Sequence, residues 1–156
     1  MVQEYGITKL TWEQLLEDYI SSFQYSCIPF QNMEYILQEL KNSGLLLGMI
    51  TNGFIKFQTL NLQALGIHKY IDTILISEQE EIKKPQPEIF LRALEKLGVT
   101  PEESLYVGDH PENDVWGAQN VVMNAVWKKD TFWSGTYTIE HTIDDLGELL
   151  YIVNTI

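Results

Sequence analysis

Three short polar clusters, each placed directly after an apolar run, hold the residues best suited to chemistry. The first is Thr51-Asn52-Gly53, which follows the run Leu45 to Ile50. A hydroxyl, backbone N–H groups and a glycine let an anion approach the chain closely. By itself the triplet also suits an ordinary strand-to-helix turn. The second is Lys83-Lys84-Pro85-Gln86-Pro87, after Thr73 to Ile76. A lysine just ahead of a proline is held extended, and its ammonium could neutralise a phosphoryl or carboxylate group. Taken alone, a solvated pair of surface lysines accounts for it better. The third is Gly108-Asp109-His110-Pro111-Glu112-Asn113-Asp114, after Ser104 to Val107. Its two carboxylates, Asp109 and Asp114, would suit a hard cation such as Mg²⁺, which takes one or two carboxylates and keeps several waters. Asp114 also suits a plain helix N-cap. Asp109, directly after an apolar strand at a buried sheet edge, would be costly unless paired or bound to metal.

These clusters need elements to position them. The pattern from residue 45 onward reads as strands at 45–50, 73–76, 104–107 and 124–127, separated by helices at 54–65, 88–97 and 114–120 and closed by a helix at 144–153. Continuous apolar runs mark buried parallel strands, and their alternation with helices predicts an open, mostly parallel sheet covered on both faces. Ligand sites in such sheets lie beyond the carboxyl ends of the strands, where all three clusters fall. Residues 1–42 read as helix only. Thr11-Trp12-Glu13-Gln14 is a capping box, and Trp12, Leu15, Leu16, Tyr19, Ile20 and Phe23 keep a helical period. A second helix runs from about Asn32 to the stop at Asn42-Ser43-Gly44. Thr100-Pro101-Glu102-Glu103 is another capping box and predicts a short helix. Trp12, Trp116, Trp127 and Trp133 read as packing residues. His68, His110 and His141 lack metal-ligand spacing, and His110 reads as a loop histidine.

Composition narrows the function. The chain has 156 residues, 22 acidic and 10 basic, a net charge of −12. Such a field repels phosphate backbones and anionic lipid, so nucleic-acid and membrane-surface partners are not expected. A lysine or a metal must cancel it locally wherever an anionic ligand binds. The single cysteine, Cys27, cannot form an internal disulfide and points to a reducing compartment, so a cytoplasmic protein is expected. No apolar run reaches the roughly 20 residues needed to span a bilayer, and the N-terminus has no apolar leader pattern.

Taken together and in this order, strand–Thr51-Asn52-Gly53, Lys84-Pro85-Gln86-Pro87-Glu88-Ile89-Phe90 and strand–Gly108-Asp109 with Asp114 closely resemble the haloacid dehalogenase (HAD) superfamily, and within it the Mg²⁺-dependent phosphohydrolases with a helical cap. The resemblance covers essentially the whole chain. It implies a three-layer αβα, Rossmann-like core over residues 43–156 and a remnant of the helical cap with its connection over 1–42. It implies that Thr51, with Asn52 and Gly53, binds the transferring phosphoryl group, and that Lys84 stabilises the charge of nucleophile and phosphoryl. It implies that Asp109 binds Mg²⁺ and that Asp114 supports that site. Two departures are Glu81, where the family often has glycine, and Val121-Val122, where it usually has Ala-Gly.

A third departure bears on activity. The family's chemistry starts from an Asp-x-Asp-x-Thr/Val motif at the tip of its first strand, whose first aspartate forms an aspartyl-phosphate. None of Asp18, Asp72, Asp130, Asp144 or Asp145 sits in such a motif. In the family the motif precedes the cap, so the resemblance implies a chain truncated at its N-terminus, without its nucleophile strand. That strand lies between those ending at Thr51 and Asp109. With neighbours about 4.8 Å apart, its loss leaves a gap of roughly 10 Å between two unpaired edges. Direct pairing of the two strands, a strand-swapped dimer, or a strand-complementing partner would each repair it. The expected function is a Mg²⁺-dependent phosphohydrolase of small phosphorylated metabolites, inactive without the nucleophile and binding Mg²⁺ weakly or not at all. The alternative is a non-catalytic remnant or binding module that keeps the fold only. An unrelated flavodoxin-like domain leaves the lysine and aspartate motifs unexplained.

Overall fold

The computed structural model describes residues 10–133 and 137–153. Helix α1 (Trp12–Ser22) starts on the expected capping box. The Thr11 hydroxyl accepts the Gln14 N–H at 3.3 Å, and Gln14 Oε1 accepts the Thr11 N–H at 2.9 Å. A 3₁₀ turn follows at Phe23–Ser26, then α2 (Met33–Asn42). From there strands and helices alternate: β1 (Gly48–Thr51), α3 (Ile55–Leu65), β2 (Thr73–Ile76), the single turn α4 (Ser77–Glu80), α5 (Pro87–Leu97) and β3 (Leu105–Gly108). A π-helical turn over Pro111–Trp116 runs into α6 (Gly117–Gln119), followed by β4 (Asn124–Lys128), β5 (Thr142–Ile143) and α7 (Leu149–Ile152).

Every strand pair is parallel, as strand–helix repeats demand. β1 pairs with β2 from Gly48↔Thr73 to Thr51↔Ile76, and β3 pairs with β4 from Leu105↔Asn124 to Gly108↔Trp127. β4 continues to β5 at Trp127↔Thr142. The strands form two sheets, β1-β2 and β3-β4-β5, rather than one. Of the three expected repairs, direct pairing of β1 with β3 is therefore not seen among the described residues. One core nevertheless joins the two halves. Ile50 and Leu75 from one sheet and Ala125 and Trp127 from the other pack with Ile89, Phe90, Ala93 and Leu94 of α5 and with Val115 and Ala118. Successive β4 residues face opposite sides, so Val126 joins Ile143 and Leu149 beneath the sheet, with Leu105 and Val107 against them. Helices thus cover both faces, a three-layer α/β arrangement.

Several expected elements and packing residues also differ from the structure. Thr100–Glu103 forms no helix. Glu103 does reach back to the Thr100 N–H and hydroxyl at 3.3 and 3.0 Å, but the chain enters β3 two residues later, leaving no room for a second turn. The helical segment expected from Asp114 starts at Pro111, because His110 rather than Asp114 is its N-cap. β5 is two residues long, too short to show a period. The closing helix expected over 144–153 is a 3₁₀ turn at Leu146–Glu148 followed by the short α7. Trp12 and Trp116 are 62% and 42% exposed instead of packed, Trp12 because α1 buries none of its residues. The described part of 1–42 is helical as expected, while residues 1–9, 134–136 and 154–156 lie outside the described residues. No described helix is long and apolar enough to cross a membrane.

Candidate functional site

The first two clusters meet through a side-chain clasp. Asn52, one residue past β1, accepts the Lys84 N–H on Oδ1 at 2.9 Å and donates Nδ2–H to the Lys84 carbonyl at 3.0 Å. One side-chain amide thus satisfies both backbone groups of a residue 32 positions away and fixes where the lysine leaves the loop. The Lys84 side chain then crosses to the third cluster. Its Nζ donates to Asp114 Oδ1 at 2.5 Å and to the Tyr106 hydroxyl at 3.1 Å. The ion pair is buried, the two side chains being 13% and 4% exposed. Removing one partner of such a pair costs about 3–5 kcal/mol because the other charge is stranded.

Asp114 is held on all sides. Its Oδ2 accepts the His110 N–H at 3.0 Å. Its carboxyl packs so closely on Gly108 that a methyl group there would overlap Asp114 Cβ, Cγ and Oδ2, so only glycine fits at the end of β3. The turn that carries Asp114 is capped by His110, whose Nδ1 accepts the Glu112 and Asn113 N–H groups, both at 3.2 Å. Nδ1 is therefore the unprotonated ring nitrogen. The imidazole also lies against Trp133, centroids 4.2 Å apart. His110 is a structural cap rather than an idle loop residue.

The remaining site residues fall at the same strand ends with different freedom. Thr51 closes β1 half-buried. Gly53, at φ +149°, gives its N–H to Ser77 Oγ at 2.9 Å, so this donor is already used, and Asn52 spends one of its two amide N–H groups on the Lys84 carbonyl. Lys84, Thr51 and the second Asn52 amide N–H keep capacity for an anion. Asp109 is exposed, not buried as expected, because no strand covers that edge of β3 among the described residues. Its carbonyl accepts Trp127 Nε1–H at 2.9 Å. Both Asp114 oxygens are engaged, leaving Asp109 as the carboxylate free to bind a cation directly. Among the described residues no cluster of three or more His, Cys, Asp or Glu could enclose a metal.

Tyr106, on β3, was missed by sequence reasoning. Its hydroxyl lies 3.1 Å from Lys84 Nζ and 3.5 Å from Asp114 Oδ1, and its ring stands edge-on to Phe90 at 5.1 Å. Burial pushes its phenol far above the ordinary value, and the charges of Asp114 and then Asp109 add to the rise. The available signal was a tyrosine inside an apolar strand, whose buried hydroxyl must find a partner.

Residues 1–128 match the family model described as haloacid dehalogenase-like hydrolase. The chain belongs to this family. It is 39% identical over 98 residues to a glyceraldehyde 3-phosphate phosphatase of Methanopyrus kandleri, covering 63% of this chain and 42% of that protein. It is also 39% identical over 98 residues to a phosphoserine phosphatase of Thermus thermophilus, covering 63% of this chain and 39% of the relative. The crystal structure of a HAD phosphatase from Thermococcus onnurineus superposes with a TM-score of 0.79 at 34% identity, covering 93% of this chain and 65% of that one. The chain therefore spans about two fifths of the length of these two phosphatase relatives.

Proposed function

We propose that the strand ends form the phosphoryl-binding part of a Mg²⁺-dependent phosphohydrolase site for small phosphorylated metabolites. The observation that carries this reading is the Asn52–Lys84–Asp114 arrangement, which brings a desolvated ammonium from one half of the molecule to a carboxylate on the other. A cation fixed there, in a chain of net charge −12, is the local exception an anionic ligand needs. Lys84 and the Thr51 hydroxyl would hold the phosphoryl oxygens, with the Asn52-Gly53 turn shaping the loop around them. Preorganised donors of this kind stabilise charge that develops on transfer. Asp109 would hold Mg²⁺ as its one direct carboxylate from this chain, with water as the other ligands. Asp114 would support the site by orienting Lys84. When bound, the metal would offset phosphoryl charge.

The proposal includes a limit on activity. The 156 residues contain no Asp-x-Asp pair, so by themselves they bind without turnover. That same observation favours the second reading, a non-catalytic binding module keeping the fold only. One set of experiments separates them. Phosphate, followed by ³¹P NMR, should bind the wild type and not Lys84→Ala. Mn²⁺ should broaden the Asp109 backbone signals and spare them in Asp109→Asn. A phosphatase assay with Mg²⁺ should give no turnover. Binding of both probes supports the phosphohydrolase half-site. Binding of neither supports the fold-only module, and turnover at ordinary enzyme rates overturns the activity limit.

A further inference from the structure

Lys84 carries three N–H donors, and the structure accounts for two of them. One goes to Asp114 Oδ1 at 2.5 Å and one to the Tyr106 hydroxyl at 3.1 Å. An ammonium on a four-carbon stem rotates freely, so a single ion pair fixes its place but not the direction of its other donors. A second partner removes that rotation. We propose that Tyr106 is a positioning residue: its hydroxyl, acting with Asp114, locks the Lys84 ammonium in one rotamer and aims its third N–H at the bound phosphoryl oxygen. The proposal rests on the phosphoryl-binding reading of Lys84.

The surroundings of Tyr106 suit this task. Its ring is wedged against Phe90 in the shared core, edge-on at 5.1 Å, so the hydroxyl cannot swing away. Phe90 is fully buried on α5, the helix that follows Lys84. The ring itself lies 5.6 Å below the Lys84 ammonium, adding a weak attraction of the same sign. The hydroxyl can accept from Lys84 and, at 3.5 Å, donate to Asp114 Oδ1. Its phenol stays protonated at any working pH, for burial and the neighbouring carboxylates push it far above neutrality. The group is therefore a neutral dipole beside the directly bonded pair and in reach of both its members, an arrangement in which linked hydrogen bonds strengthen one another.

The test reads the lysine directly. In ¹⁵N-labelled protein a lysine ammonium gives a resolved Nζ signal when it is held and slow to exchange, and Lys84→Arg assigns that signal. Tyr106→Phe keeps the ring and its packing but removes the hydroxyl. It should erase or broaden the Lys84 signal and weaken inorganic phosphate about tenfold, with the folded near-UV spectrum retained. Should that variant fail to fold, replacing tyrosine throughout by 3-fluorotyrosine, a poorer acceptor, should shift the same signal. A wild type without a resolved Lys84 signal, or a signal that Tyr106→Phe leaves in place, overturns the positioning role. Loss of phosphate binding from the wild type, with the Tyr106-dependent signal intact, overturns the phosphoryl reading alone.

Discussion

Single residues explain where this chain departs from its family and at what energetic expense. Glu81 and Val122, the two positions where the resemblance leads to an expected glycine, both take a left-handed backbone, with φ +57° and +67°. The turn survives because its hydrogen bonds survive: Val122 N–H reaches the Gln119 carbonyl at 2.9 Å and Met123 N–H the Ala118 carbonyl at 3.2 Å. For an L-residue the left-handed region costs about 1–2 kcal/mol, and a β-branched residue there is uncommon. Val122 gains little in return, since its side chain is 65% exposed. Val122→Gly should therefore stabilise the chain. Part of the relieved strain, about 0.4–1 kcal/mol, is offset by the extra freedom glycine gives the unfolded chain. A net gain of roughly 1 kcal/mol would raise Tm by about 2–4 °C. Val122→Ala keeps the Cβ and should fall short of that rise, which thermal melts of the two variants would show side by side.

At the scale of elements, α4 and α5 are tied by one carboxylate. Glu80 accepts from Arg92 Nη1 at 2.7 Å and from Lys96 Nζ at 2.8 Å, its own side chain being only 7% exposed. The Arg92 guanidinium first, then the Lys96 ammonium, hold its carboxyl below the ordinary value of 4.5. The unfolded chain, with Glu80 near that ordinary value, takes up the proton first as pH falls. The contribution is therefore complete above about pH 4.5 and is lost as pH drops through the lower folded value. Melts of the wild type and Glu80→Gln should differ most near neutral pH and converge as pH falls below the ordinary carboxylate value; a constant difference would contradict the assignment. The same element scale shows how much was legible beforehand. Apolar runs marked β1 to β4, and glycine stops at Gly66 and Gly98 marked the ends of α3 and α5, because burial on both faces and turn chemistry are written locally. What depends on distant residues was not legible. Nothing near Asn52 announces that it clasps Lys84, and nothing near Asp114 says that Lys84 rather than a metal takes its Oδ1. Nor does the period of α1 reveal that most of its apolar stripe stays exposed, since that depends on what packs against it.

At the scale of the whole molecule, the two half-sheets hold together without a shared hydrogen-bond ladder among the described residues. From the end of β1 to β3 takes two side chains laid end to end, Asn52 to the Lys84 backbone and Lys84 Nζ to Tyr106. Paired strands would need only about 4.8 Å. The ladder bonds show which peptide groups face this space. The Asp72 N–H reaches the Leu47 carbonyl at 2.7 Å, so Leu47 and every second residue after it turn toward β2. Gly48 and Ile50 therefore turn the other way. Asn124 N–H reaches the Ser104 carbonyl at 3.1 Å, so Leu105 and Val107 likewise turn away from β4. Amide exchange followed by NMR in dilute protein should find Gly48, Ile50, Leu105 and Val107 exchanging faster than Met49, Thr51, Tyr106 and Gly108 on the same strands. An unpaired inner edge is also a template for another strand. If copies of the chain exchange strands, protection of those four amides should rise with protein concentration, in step with a dimer seen by light scattering. Protection of all eight in a dilute monomer would mean instead that β1 and β3 pair directly in solution, and the two-sheet arrangement would be overturned.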